Sequence, residues 1–385
     1  MFTKQKTNNK LFLRSALNHS LTNIKKSLKV KVVGIERVTK IYRSKSNSFL
    51  IKTISNNKDR IVTYFLKFDE DENIKKEIKG TRFVERFLPT PKIILTSKNK
   101  MSEFGWLLFE YIPGKLMAEK FLQIKNKKDL ELFCELEKQK EKLLNNLHFK
   151  SKVEINYDNY IKSRTNRLFY DRLFGKRYKL FFAKSPDNIS SYFNRQFVIN
   201  NKEFPYTVNQ VFESIRKKYS LHNNRKITAI KGQGDAHHGN IIVDKKIWFI
   251  DNEYADFMPP FMELAKPYYN DFIGTLFFHH HKTLNQYFKV SSFEDTGTQL
   301  VFKIKCPQKI TNFLKITKIK LQKRKKLINN KTKDFLSLND YLILCHILTK
   351  DPNKYPLKTK LLFLVFIAVL SQFDPLNPES IYDYF

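Results

Sequence analysis

The sequence predicts an α+β chain with a small β-rich N-terminal part and a larger, mainly helical C-terminal part, and three observations carry that prediction. An apolar, β-rich run, Ile61–Phe68, leads into a segment with helical character, Ile74–Leu88. A Pro113-Gly114 pair closes the apolar stretch that begins at Leu107, and such a pair marks a turn between units. Beyond it, Leu130–Leu147 places apolar residues at positions 132, 133, 136, 143, 144 and 147, a helical interval. A length of 385 residues with 42% hydrophobic content is enough to bury a core and excludes a disordered chain.

The elements follow in order. Met1–Leu28 is basic and polar, with no apolar centre of signal-peptide length, so residues 1–28 read as a basic leader and secretion is not expected. Ser44–Ile51 (SKSNSFLI) puts small polar residues before a strand; a plain hairpin turn and a turn whose amides cradle phosphate both fit. The strand Ile61–Phe68 carries Lys67 near its end. The Leu130–Leu147 helix sets Glu and Lys opposite its apolar face and ends in Leu147-His148, where a histidine can simply satisfy carbonyls. Three short strands are expected at Lys226–Lys231, Asn240–Val243 and Ile247–Asp251, with Asp244-Lys245-Lys246 as the turn between the last two. Phe288–Lys305 reads as a β-rich excursion among helices. Leu361–Leu370 is half of the roughly 20 apolar residues a membrane span needs, so a buried core helix is expected and no membrane span. The small part runs over 29–111 and the large part over 112–385.

Chemistry concentrates in Gly234-Asp235-Ala236-His237-His238-Gly239-Asn240 and in Asp251. Magnesium takes oxygen ligands and commonly sits between one or two carboxylates and nucleotide phosphates. Asn240 and Asp251 offer such oxygens, and a hairpin would bring the first, at the start of one strand, beside the second, at the end of its partner. Asp235 is then free to accept a proton from an attacking hydroxyl. Taken singly these are ordinary turn residues; their joint spacing is what points to phosphoryl transfer.

In the strings QGDAHHGN and IDNEYA the chain resembles the aminoglycoside phosphotransferase and choline kinase group of kinase-like enzymes, whose sites read HGDxHxGN followed by a hydrophobic strand and a D-W-E-type segment. The resemblance implies a protein-kinase-like fold of two lobes with ATP in the cleft, Asp235 as catalytic base, and Asn240 and Asp251 as Mg2+ ligands. It also implies that Lys67 holds nucleotide phosphates and is fixed by a carboxylate on the following helix. Glu77 is preferred over Glu85, which sits near the Leu88-Pro89 helix end. Ser46 and Asn47 fall in the segment that resembles the family's phosphate loop. The hinge Leu107–Gly114 resembles its E-x-x-P-G hinge, so adenine is expected on backbone groups near Glu110, Tyr111 and Ile112. Gln233 and Asn252 depart from the family's His and Trp.

Past Asp251, the acids Glu253, Asp256, Glu263 and Asp271 can line an acceptor pocket that favours a cationic alcohol, or merely balance nearby lysines. The terminal Ile381–Phe385 (IYDYF) is similar to a substrate-binding tail of some aminoglycoside kinases, though fraying is the simpler expectation. A formal net charge of +34, from 71 Lys and Arg against 37 Asp and Glu, raises the prospect of a polyanion partner. Lys315–Lys326 is the densest run, and a solvated helix face explains it as well. Cys134, Cys306 and Cys345 are odd in number and lack metal spacing, which fits a reduced, cytoplasmic setting. His279, His280 and His281 have no second ligand cluster nearby.

The sequence thus leads to an ATP-dependent kinase acting on a hydroxyl of a small molecule, with nucleotide and small-molecule acceptor as partners. Its rivals are a catalytically weak kinase-like binding module and a kinase whose acceptor is protein or RNA.

Overall fold

Side-chain alternation along one strand decides the layering of the N-terminal part. Strands β1 (Val30–Arg37), β2 (Asn47–Ser55), β3 (Lys58–Glu70), β4 (Ile93–Thr96) and β5 (Phe104–Glu110) form an antiparallel sheet in the order β1-β2-β3-β5-β4. This computed structural model describes residues 2–38, 47–55, 58–97, 104–179, 182, 189–220, 225–274, 289–305, 311–329, 336–347 and 356–385. Ser46, Cys306 and His279–His281 lie outside them.

Successive residues of a strand point to opposite faces. On one face Leu66 and Phe68 join Phe49, Ile51, Trp106 and Leu108. The segment expected as a leader covers this face: Phe2–Leu28 is a helix whose Leu21 and Ile24 are buried there, with Leu17 and Leu28 beside them. Positions 17, 21, 24 and 28 make one helical stripe, so the apolar face was written at intervals that a search for a continuous apolar run passes over. On the opposite face, Phe65, Leu107 and Phe109 pack on Ile74 and Ile78 of the helix Asp71–Val84. Lys67 shares this face with Phe65, which aims it at that helix rather than at the Phe2–Leu28 layer.

After the hinge, the helix Lys127–Lys150 packs against the helix Thr311–Asn329 and the strand Lys226–Gly232. Lys226–Gly232 lies between Val153–Asn156 and Asp256–Met258 in one small sheet. Ile241–Val243 lies between Ile247–Phe249 and Lys115–Leu116 in another. The hairpin Lys289–Asp295/Gln299–Lys305 turns at Gly297 (φ 90°) and adds a four-stranded sheet. The helix Leu357–Gln372 is buried through Leu361 and Phe363–Leu370, as its composition led one to expect. No helix among the described residues is long and apolar enough to cross a membrane.

Three expectations change. The helix around Leu130–Leu147 has no single polar face, because Glu137, Lys140 and Glu141 are fully buried. The basic run is a solvated face only in part: Lys315, Lys318 and Lys323 are exposed, whereas Lys320 and Arg324 are buried. The terminal residues do not fray: Ile381 is buried, Phe385 stacks on Phe366 at 5.2 Å, and its carbonyl accepts from Asn200 Nδ2 at 3.0 Å.

Candidate active site

Three segments remote in sequence meet at Lys67. Its ammonium bonds Glu77 Oε2 of the helix Asp71–Val84, and lies 2.8 Å from Asp251 Oδ1. Burial works against the charged form of Lys67, but the Glu77 and Asp251 carboxylates overcome it and leave the group raised. Glu85 is exposed and takes no part in this junction. Ser48 stands directly across from Lys67 in the β2–β3 register, is buried, and its hydroxyl has no hydrogen-bond partner among the described residues. Alternation puts Ser48 on the face opposite Phe49 and Ile51, which is the face of Lys67. Asn47, one position earlier, accepts instead from Arg37 Nη2 at 3.0 Å.

Asp251 adopts φ 59°, a left-handed conformation that a non-glycine residue enters at a cost. Its neighbours hold it there. Gln233 Nε2 donates to the carbonyls of Ile250 (3.1 Å) and Asp251 (3.3 Å) and to Asn252 Oδ1 (3.2 Å), while Gln233 Oε1 accepts from Asp235 N at 2.7 Å. One fully buried side chain therefore ties the Asp235 loop to the Asp251 segment. Asn252 Nδ2 reaches Thr81 Oγ1 at 3.4 Å, and a Cβ built on Gly80 would fall 1.8 Å from Asn252 O. The helix that carries Glu77 thus rests directly on the segment that carries Asp251.

Asn240 and Asp251 are brought side by side by the hairpin register Ile241↔Phe249, extended by Ile250 N donating to Asn240 O at 3.0 Å. Asn240 Nδ2 donates to Asp235 O at 3.1 Å, which leaves the amide oxygen for other partners. Asp235 Oδ1 lies 3.1 Å from Lys266 Nζ and accepts from Asn270 Nδ2 at 3.3 Å. Lys266 and Asn270 are four residues apart across the passage from the helix Pro260–Tyr268 into the π-helical turn Tyr269–Ile273, so both reach the same oxygen. Neither stood out in the sequence.

Beneath the loop is a layer of buried charge. Glu263 accepts from Gln233 N (3.1 Å) and Gly234 N (2.9 Å), with His148 Nε2 3.5 Å from it. Gly234 itself has φ 84°, and a Cβ there would meet Tyr254 O at 2.4 Å. Asp271 accepts from His238 N at 2.9 Å and pairs with Lys320 at 2.8 Å. Burial opposes its charge, but His238, Lys320 and Lys140 prevail and bring it down to about 2. His238 Nε2 meets Glu137 at 2.8 Å, and Arg324 pairs with Glu141. Glu263 and Asp271 therefore support the loop from below rather than line an acceptor pocket. Burial and the nearby Asp251 push Glu253 up to about 7, and Asp256 caps Phe257 N.

At the hinge, Glu110 ends β5 and its carboxylate accepts from Lys92 N at 2.8 Å. Tyr111 is partly exposed, while Ile112 is buried and its carbonyl accepts from Gly114 N at 2.9 Å. Among the described residues no group of three His, Cys, Asp or Glu side chains could hold a metal by itself.

No protein-family model matches the sequence, and no curated protein matches it. Solved structures do. The chain superposes on aminoglycoside phosphotransferase APH(4)-Ia with a TM-score of 0.51 and 8% identity, over 95% of this chain and 98% of that one. A thermostable mutant of the same enzyme, in a ternary complex with ADP and hygromycin B, gives 0.49 and 7% over 94% and 97%. The gentamicin–APH(2″)-IIa complex gives 0.46 and 14% over 93% and 97%.

Proposed function

We propose that this chain, which has the aminoglycoside phosphotransferase fold, is an ATP-dependent phosphotransferase acting on a hydroxyl group of a small molecule. The observation that carries the reading is the junction of Lys67 with Glu77 and Asp251, set beside a loop bearing Asp235 and Asn240. In this reading Lys67 binds the nucleotide phosphates and Ser48 and Asn47 flank them, while adenine rests on backbone groups from Glu110 to Ile112.

The donor set fits magnesium: one carboxylate and one carboxamide oxygen, and among the described residues no group of three His, Cys, Asp or Glu side chains closes a structural site. Asn240 and Asp251 would hold the ion, which when bound supplies charge neutralisation on the phosphates. Asp235 accepts the proton of the acceptor hydroxyl as its oxygen bonds to the terminal phosphorus and the bond to the β–γ bridging oxygen breaks, releasing ADP. Gln233 and Glu263 keep the loop in place through their bonds to its backbone, so the departure from the family's histidine does not leave the loop unsupported. Cys134 and Cys345, both buried and in no disulfide among the described residues, accord with a reducing, cytoplasmic setting.

The test is nucleotide binding and turnover. ATP should raise the melting temperature only with magnesium present, and Asp251→Ala should abolish that shift. Absence of any shift at millimolar ATP would sink the reading.

A further inference from the structure

The acceptor side of Asp235 is built from cations. Lys266, side chain 9% exposed, lies 3.1 Å from Asp235 and 5.7 Å from the Tyr254 ring. The helix Arg164–Leu173 packs on the strand Asp256–Met258 and on the helix Leu338–Ile347, against which the Lys266 helix also packs. That arrangement brings Arg172 toward the same place.

Arg172 is buried, at 4% exposure. Its Nη1 donates to Leu344 O at 2.9 Å and its guanidinium lies 5.2 Å from the Phe169 ring centre. Among the described residues its Nε has no hydrogen-bond partner and no carboxylate lies within ion-pair distance; the neutral Cys345 thiol is its side-chain neighbour. A buried charge without a counter-charge is costly, and an arriving anion offsets that cost. Burial lowers Arg172; Cys345, Tyr254 and Asp235 act against that, and Arg177 acts with it. Arg177, half-buried, lies 3.9 Å from Asp171. Of the carboxylates near these cations, Asp235 lies 3.1 Å from Lys266 and Asp171 3.9 Å from Arg177; Asp235 favours the charged Arg172 from beyond ion-pair distance.

We propose that the acceptor is an alcohol that also carries an anionic group, a carboxylate or a phosphate, bound by Arg172 and Arg177 with Lys266 bridging that group and Asp235. The proposal rests on the phosphotransfer reading above. It opposes the cationic acceptor that the cluster of acids after Asp251 suggests in the sequence, because Glu263 and Asp271 are spent on the loop amides. Guanidinium groups suit such anions through paired N–H donors.

The test uses the full chain with magnesium and ATP and four matched probes: glucose, glucosamine, glucuronate and glucose 6-phosphate. ADP release and, with magnesium–ADP bound, the melting temperature are measured for each. Glucuronate or glucose 6-phosphate should give the largest response, and which of the two responds identifies the anion. That response should weaken at least tenfold in Arg177→Gln, a half-buried position where folding is not at risk, and in Arg172→Lys, with the KM for ATP unchanged. A larger response to glucose or glucosamine, an anionic response that survives both substitutions, or no response to any probe while magnesium–ATP still stabilises the chain, overturns the anionic acceptor and leaves the kinase reading standing. Failure of magnesium–ATP to stabilise the chain removes both.

Discussion

Asp235 and Gln233 divide the labour of one loop between chemistry and support, and substitution separates the two. Asp235→Asn keeps the size of the side chain but removes the base; turnover should fall by about 10²- to 10⁴-fold while magnesium–ATP binding by calorimetry persists. Gln233→Ala removes no reacting atom. It orphans Asp235 N and the carbonyls of Ile250 and Asp251, so it should cost about 1–3 kcal/mol in urea unfolding and lower turnover by misplacing Asp251. Both residues could be picked out in the sequence, since they sit in one short string. Lys266 and Asn270 could not: thirty or more residues downstream, each is an unremarkable helix residue until a helix and a π turn carry both back to Asp235 Oδ1.

At the scale of elements, the helix Asp71–Val84 and the Asp251 segment meet through a missing side chain. Gly80→Ala sets a methyl 1.8 Å from Asn252 O, so the helix must shift and take Glu77 with it. The expected result is a KM for ATP raised several-fold and a lower melting temperature, both read on the purified variant. The basic helix Thr311–Asn329 gives a second contrast. Arg324→Met takes the guanidinium from buried Glu141, leaving Lys140 at 3.4 Å, and should destabilise by about 3 kcal/mol. Lys318→Ala, which breaks an exposed pair with Glu379 at 2.6 Å, should cost under about 1 kcal/mol. If the two variants unfold at the same denaturant concentration, the buried layer has been misread. Composition along this helix identified a basic run but not which of its cations point inward, because its charged and apolar residues are interleaved and only the packing against Lys127–Lys150 sorts them.

The whole molecule carries a pH signature of its own. His346 is buried, with Tyr269 OH at 2.9 Å from Nδ1 and Nε2 donating to Phe363 O at 2.9 Å, a neutral imidazole satisfied at both nitrogens. Burial, only partly opposed by the bond to Phe363, pushes it down to about 3. An unfolded histidine takes its proton near 6.5, so below that pH the unfolded chain binds the extra proton and stability falls as pH drops from about 6.5 toward 3. His346→Gln should flatten this part of the melting-temperature profile while lowering stability at pH 7; an unchanged slope would show that other groups govern the acid limb.

What the sequence by itself determined is a set of local pieces: the strand with Lys67, the helix with Glu77 and the hairpin that sets Asn240 beside Asp251. These are local, because side-chain alternation, helical spacing and turn residues act over a few positions and leave a readable period. Only the tertiary structure decided which charges are inside. Glu137, Glu141, Glu263, Asp271, Lys320 and Arg324 look in the sequence like solvated residues of a basic chain, yet they form the buried layer under the loop. Arg172 likewise becomes an uncompensated cation only once its helix is packed. Burial of a charge depends on what other segments bring to it, and no interval along the chain encodes that.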